Sequence, residues 1–331
     1  MTWVPCGIVE RIRPPTAATL PLVLHRPAAM LPRARALSTS ASAMFKPWIP
    51  PVQHVAQAQA AYGSDGYVLL DDVFTPEEAR QLERIIDEVS DPASEVASKV
   101  WHYEWVNCET EDRRRVLGRC EDFVHHPGWS ELVDHKLLPI ATALLGEPAT
   151  LAKEKIHPKH PGAAGFRAHQ DAAAYSVRER KENGVGGVVE DIWTDSSGDA
   201  VPIVSLMVCA DPHTATNGPT EVVAGVSTKQ LLACTPEGLI DSETEATLDW
   251  KPCEAVPTQV MAFGGYVPHR SGPNVSKDTR RRSAFLTFHA ASFGETRAKY
   301  YAGKHAGKVG GGAPGKGKIS ATNHWQAVPA D

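Results

Sequence analysis

The sequence predicts a mainly β fold, a β-sandwich or barrel with helices packed outside it. Two segments of helical periodicity come first, ending near Leu145. Short β-rich runs then follow one another to about Phe293: "ATLAKEKIHP", "VPIVSLMVCAD", "TEVVAG", "TQVMAFGGYVPH" and "SAFLTFHAASF". Turns rich in Gly, Pro and Asn separate them, and there is no internal repeat. Helices followed by many short strands place the strands in one layered core and the helices on its outside.

The elements can be taken in order. "KPWIPPVQ" (46–53) is an extended entry segment, and "GYVLLDDVFTPEEARQLERIIDEV" supplies a strand and then a helix. Thr75 is an N-cap, Pro76 suits the first helical position, and Glu78 completes a Thr-x-x-Glu capping box. Ala79, Leu82, Ile85, Ile86 and Val89 recur at helical spacing and should face the core. The second helix runs from about Gly128 to Leu145, with Trp129, Leu132, Val133, Leu137, Ile140, Ala141 and Leu144 as its apolar face and Gly146 as its terminator. Residues 178–200 interrupt the strand pattern as a long loop, the kind of segment that forms lids or binding loops.

At 331 residues the chain is long enough for a sizeable core. Its net charge of −5 argues against a general nucleic-acid binder, and no apolar run reaches the length of a membrane span. The six cysteines form no CxxC pair, which suggests free thiols in a reducing compartment rather than a zinc knuckle or a disulfide scaffold. From 1 to 45 the only acid is Glu10, against Arg11, Arg13, Arg26, Arg33 and Arg35, and the stretch closes on "ALSTSASAM". Arg-rich, Ser-rich and acid-poor is transit-peptide composition, so a mitochondrial address is expected, with a cytoplasmic one otherwise. A disordered arm, or sequence upstream of a start at Met44, would look the same. The reading is therefore 1–45 arm, 46–302 folded domain and 303–331 a flexible Gly/Lys-rich tail.

The chemistry centres on "GFRAHQDAAAY" (165–175). In an extended segment, residues i and i+2 share a face, so His169 and Asp171 aim an imidazole and a carboxylate at one point. An HxD pair alone is weak, but "VPHRSGPN" adds His269. Two histidines and one carboxylate are the facial set of non-haem Fe(II) oxygenases, which leaves open positions for a bidentate cosubstrate and O2. A zinc hydrolase on the same ligands would also need an acid/base group, and no HExxH motif is present. The Arg280–Arg282 run favours the oxygenase, because 2-oxoglutarate has a distal carboxylate that a guanidinium fork pairs well. Arg280, brought back by the "SGPN" turn, is the expected partner, with the Ser271 hydroxyl beside it. Strand alternation puts Arg280 and Arg282 on one face and Arg281 on the other.

With "KEKIHPKHPGAAGFRAHQDAAAY", "ADPHTATNGPTEVVAGVS" and "VPHRSGPNVSKDTRRRSAFLTF" in this order, the sequence resembles the phytanoyl-CoA dioxygenase superfamily of Fe(II)- and 2-oxoglutarate-dependent oxygenases. The resemblance spans about Ala149 to Tyr301 and extends toward Tyr62. Its wording is closest to the (2-aminoethyl)phosphonate dioxygenase branch. It implies a double-stranded β-helix (a cupin-like jelly roll) with flanking helices, iron on His169, Asp171 and His269, and 2-oxoglutarate on Arg280 and Ser271. Lys153, Lys155 and His157, on one strand face, would line the cosubstrate pocket. His157 departs from the asparagine usual there, and "VVAGVS" lacks a histidine that often follows. The carboxylate of Asp171, where halogenating relatives carry a small residue, implies hydroxylation.

The resemblance also places Tyr103, Arg119 and Glu121 near the active site, and these with Tyr175 are candidate substrate contacts. The expected reaction is hydroxylation of an aliphatic C–H of a small polar substrate, an aminophosphonate or amino acid derivative, with release of succinate and CO2. An acyl-CoA or secondary metabolite is the alternative substrate, and a metal-free jelly-roll binding module the alternative class. His289 is expected to be buried and hydrogen-bonded, and Gln170 to be structural.

Overall fold

Thr75 opens its helix with both halves of the expected capping box: the Glu78 N–H donates to Thr75 Oγ1 (3.2 Å) and the Thr75 N–H to Glu78 Oε2 (2.9 Å). This computed structural model describes residues 43–97, 100–107, 115–175, 193–226, 230–305 and 325–327. Helix α1 (Val52–Asp65) and strand β1 (Tyr67–Leu70) precede α2 (Pro76–Ser90). Strands β2 (Trp101–Asn107) and β3 (Arg115–Glu121) come next. The second predicted helix is α3 (Pro127–Leu132), one π-helical stretch (Val133–Leu137) and α4 (Leu138–Leu145). Pro139 explains the interruption, since its ring nitrogen cannot donate and the helix must rearrange around it. Gly146 closes α4 with φ 77°, a left-handed cap that favours glycine.

The strands form two antiparallel sheets. One has the order β1-β9-β6-β11-β4-β3-β2-β12, using β4 (Ala149–Lys159), β6 (Ile203–Cys209), β9 (Val260–Gly264), β11 (Arg281–Ala290) and β12 (Trp325–Ala327). The other has the order β5-β10-β7-β8, from Phe166–His169, His269–Ser271, Thr220–Val222 and Lys251–Cys253 respectively. This is the predicted jelly roll.

Alternation divides the large sheet into two faces. Val204, Leu206, Val208, Ala284, Leu286 and Phe288 join Leu82, Ile85, Ile86 and Trp129 in one buried cluster beneath the helices. Met207, Cys209, Met261 and Phe263 instead meet Val222 and Cys253 of the small sheet. The face turned toward the small sheet also carries the polar residues, so the site lies between the two sheets.

The domain edges differ from the sequence reading. Phe45, placed at the end of the arm, is fully buried in the core, and its N–H donates to Glu131 Oε1 at 2.7 Å. Helix Arg297–His305 runs past 302, and β12 pairs with β2 within the stretch read as a tail. Residues 1–42, and with them most of the transit-peptide reading, lie outside the described residues, as do 178–192 of the long loop. Among the described residues no helix is long and apolar enough to cross a membrane, and Cys120, Cys209, Cys234 and Cys253 form no disulfide.

Candidate metal centre and its pocket

Strand β5 ends at His169, and Asp171 begins a short 3-10 turn (Asp171–Ala174) rather than continuing the strand. Gln170 between them is still extended (φ −115°, ψ 131°), which keeps both side chains on one side. The Gln170 side chain turns the other way and ties loops together: Nε2 donates to Tyr266 O (2.6 Å) and Gln230 O (3.0 Å), and Oε1 accepts from Leu232 N–H (2.7 Å). His269 is the direct cross-strand partner of His169, with ring centroids 4.2 Å apart. Gly165 permits this approach of β5 to β10, since a Cβ there would fall 2.1 Å from the Ser271 carbonyl oxygen.

Ligand atoms of His169, Asp171 and His269 all lie within 4.8 Å of one another. His169 Nδ1 is 2.7 Å from Arg167 O, and His269 Nδ1 is 3.0 Å from Val267 O. Each carbonyl can only accept, so each Nδ1 carries the hydrogen and each Nε2 keeps its lone pair for a metal. Burial raises the Asp171 pKa, but the imidazoles of His269 and His169 and the ammoniums of Lys153 and Lys155 outweigh it and hold the carboxyl well below its usual range. Two imidazole nitrogens and one carboxylate in this arrangement fit Fe(II).

The cavity at this triad is also lined by Lys155, His157, Phe166, Ser205, Thr220, Phe263, Ser271, Arg281, Phe285 and Thr287. Ser271, Lys155 and His157 are therefore at the cavity. Arg280 is not. Its side chain is half exposed and 3.6 Å from Asp87 on α2. Arg282, on the same face, is buried against Asp211 (Nε to Oδ2, 2.8 Å), Asp87 (2.6 Å) and Glu83 (2.9 Å) and fastens α2 to the sheet.

Arg281 enters the cavity, 1% exposed, and its Nε and Nη1 have no hydrogen-bond partner. Buried guanidinium nitrogens are seldom left so, and an incoming carboxylate would satisfy them. The parity argument was sound, but the wrong parity was assigned to the site. Alternate residues of β11 distinguish the faces: Ala284, Leu286 and Phe288 suit a helix-covered core, whereas Arg281, Ser283, Phe285 and Thr287 suit a polar cavity.

Lys159 escaped the sequence reading altogether. It is the cross-strand partner of Arg281 and is buried beside Ser271, and burial and then the Arg281 charge push its pKa down to about 6. His157 is kept neutral, its pKa well below the usual value, first by burial and then by Lys155, Arg119 and Arg281. Its Nδ1 also has no partner.

Lys153 sits apart from these cavity residues, over the rings of Tyr175 (4.6 Å) and Trp193 (5.1 Å), with its ammonium on the Tyr175 hydroxyl. Glu121 is buried, pairs with Arg119 and stands opposite Lys155 in the sheet. Tyr103 is opposite Arg119 on β2, but its side chain lies outside the described residues. His289 is buried as expected, with Nδ1 on Ala290 O (2.9 Å) and Nε2 on Thr296 Oγ1 (2.7 Å).

The family model described as phytanoyl-CoA dioxygenase (PhyH) matches residues 62–282. A methylphosphonate hydroxylase of Gimesia maris is 29% identical over 272 residues, 81% of this chain and 94% of that protein. A 2-aminoethylphosphonate dioxygenase from an uncultured bacterium is 34% identical over 192 residues, 57% of this chain and 65% of that protein. Among solved structures, EctD from S. alaskensis in its apo form superposes with a TM-score of 0.57 at 22% identity, covering 76% of this chain and 82% of that one. That likeness concerns the fold.

Proposed function

The chain belongs to the phytanoyl-CoA dioxygenase (PhyH) family, and from that premise we propose that this Fe(II)- and 2-oxoglutarate-dependent dioxygenase hydroxylates an aliphatic C–H of a small organophosphonate. One observation carries the reading: a single cavity is lined by the His169–Asp171–His269 set and by the unpartnered Arg281 guanidinium. The first suits the metal and the second the distal carboxylate of the cosubstrate.

His169, Asp171 and His269 would hold the iron. With 2-oxoglutarate and O2, bound iron supplies the oxidant that replaces C–H by C–OH while the cosubstrate becomes succinate and CO2. The chain's own residues bind and orient. Arg281 and the Ser271 hydroxyl receive the distal carboxylate. Phe166, Phe263 and Phe285 form apolar walls that keep water from the reacting centre. His157, held neutral, adds polarity without a further charge. No side chain is required as an acid or base, because the C–H is not acidic.

The substrate class is supported by the two phosphonate-oxidising relatives and by the cations near the metal. Lys155 lines the cavity, and Lys153 and Lys155 both bear electrostatically on Asp171. A dianionic tetrahedral head group is suited to such surroundings.

The test is aerobic incubation with Fe(II), 2-oxoglutarate and ascorbate, followed by 31P NMR. Conversion of methylphosphonate or 2-aminoethylphosphonate to its 1-hydroxy derivative, matched one to one by succinate, is the expected result. Coupled succinate release with an acyl-CoA or an amino acid derivative, and none with phosphonates, would overturn the substrate class. We further propose, on the composition of residues 1–45 alone, that the protein is addressed to mitochondria.

A further inference from the structure

Lys159 is 3% exposed at the end of β4. Its Nζ has three acceptors: Ser271 Oγ at 2.8 Å, Gly272 O at 2.6 Å and Gly218 O at 3.2 Å. In the ammonium form, which a bound carboxylate favours, Lys159 carries three N–H bonds, and these acceptors use all of them. Ser271 Oγ receives a second hydrogen from the Phe166 backbone N–H at 3.2 Å. A hydroxyl oxygen has two acceptor positions. Both are filled, and what Ser271 has left to offer the cavity is its hydrogen.

The seat of Lys159 is built by close approach. Gly218 has φ +70°, and a Cβ there would stand 2.4 Å from Gly272 O and 2.9 Å from Lys159 Nζ. The three acceptors of Lys159 are neutral. Glu221, the acid that acts on it electrostatically, is itself held by Arg270 Nε at 2.8 Å. Arg281, its cross-strand partner, has two unpartnered nitrogens. Two buried basic side chains thus lie together with no carboxylate bonded to either.

We propose that Lys159 is a positioning residue for cosubstrate selection: by occupying an acceptor site of Ser271 it makes that hydroxyl an obligate donor and completes, with Arg281, a subsite that accepts a carboxylate and rejects a neutral distal group. The proposal rests on the 2-oxoglutarate reading given above. It separates the roles of the two residues, since Arg281 and Ser271 touch the cosubstrate and Lys159 acts only through Ser271.

Calorimetry of 2-oxoglutarate and of glutarate binding to the metal-free protein tests this independently of turnover. It is paired with steady-state kinetics of the iron-loaded enzyme. Ser271→Ala and Lys159→Met should each weaken 2-oxoglutarate about tenfold, the size expected for one charge-assisted hydrogen bond. In Lys159→Met, which removes no group that touches the cosubstrate, kcat at saturating cosubstrate should stay within about twofold. Lys159→Arg, which keeps donors for the same acceptors, should recover part of the loss. The double variant should be no weaker than Lys159→Met alone, because the two act as one unit. Multiplicative losses in the double variant, or an unchanged 2-oxoglutarate affinity in Lys159→Met, would overturn the proposal.

If Lys159→Met does not fold, 2-oxoglutarate and 2-oxoglutaramate are compared on the wild type and on Ser271→Ala. A donor-only subsite disfavours the distal amide by at least about tenfold, and the serine variant should narrow that ratio; an equal ratio in both proteins sinks the proposal. Wild-type protein that neither binds nor consumes 2-oxoglutarate would fail the function reading itself, and this inference with it. Normal wild-type turnover with independent Lys159 and Ser271 effects would fail only the inference.

Discussion

His169 and His269 face each other as direct register partners on β5 and β10, each with its Nδ1 tied to the backbone carbonyl two residues earlier. The pairing is made by strands rather than by a mobile loop, so the two Nε2 atoms are set before any metal arrives. Asp171 completes the set from the turn that follows β5.

Removal of one metal ligand is the first prediction. His269→Ala or Asp171→Ala should lose iron, measured as metal content after dialysis against limiting Fe(II), while the circular dichroism stays that of the wild type. Stoichiometric iron retained by both variants would place the metal elsewhere.

The three neighbouring arginines should separate into three behaviours. Arg281→Met should raise the apparent KM for 2-oxoglutarate by about 10- to 100-fold, the range expected for lost charge-assisted hydrogen bonds. Arg280→Ala should leave KM within about threefold and change stability by at most about 0.5 kcal/mol, since its ion pair with Asp87 is half exposed and long. Arg282→Met should destabilise the fold by about 3 kcal/mol, because it leaves the largely buried Asp211 without its partner. Urea melts and initial rates at varied 2-oxoglutarate check all three. A large KM effect at Arg280 with none at Arg281 would reverse the placement.

Cosubstrate binding should take up protons. In the free protein the Lys159 pKa is pushed down to about 6 by burial and then by Arg281, with Glu221 opposing. His213, which also faces this cluster, is kept neutral across the range, first by burial and then by Arg281 and Lys159. Between about pH 6 and 10.5 the unfolded chain thus holds more protons on Lys159 than the folded one. This group's contribution to stability therefore rises with pH over that window and falls as pH drops toward 6. A bound carboxylate favours the ammonium, which is the form with hydrogens for all three acceptors. At pH 7.5, calorimetry in buffers of different ionisation enthalpy should show up to about one proton taken up per 2-oxoglutarate, with the uptake lost in Lys159→Met. Binding with no proton exchange in the wild type would contradict this.

Much of this site was legible in the sequence because its chemistry is local. His169 and Asp171 are two residues apart in an extended segment, and the Thr75–Glu78 capping box fixes one helix from four residues. The arginine that lines the cavity was harder. Whether Arg280 or Arg281 turns inward depends on where β11 begins and on its register with β4, which pairs Arg281 with Lys159 and Phe285 with Lys155. The loop from 272 to 280 sets that register through Asn274, whose Nδ2 donates to Lys159 O (3.0 Å) and Thr279 O (2.7 Å). The contact with Lys159 is long-range. Even so, the apolar run Ala284, Leu286 and Phe288 marks the helix-facing parity and would have excluded Arg280. Lys159 carried no comparable mark, because its partners are two glycine carbonyls and one serine brought together only by the fold.

Whether the triad and Arg281 together hold iron and 2-oxoglutarate is decided by anaerobic visible spectroscopy of the purified protein, with Fe(II) and 2-oxoglutarate added in turn to the wild type, Arg281→Met and Arg280→Ala. A weak charge-transfer band is expected that requires both additions, saturates at higher 2-oxoglutarate in Arg281→Met, and is unchanged in Arg280→Ala. Iron binding with no band on adding 2-oxoglutarate would contradict it.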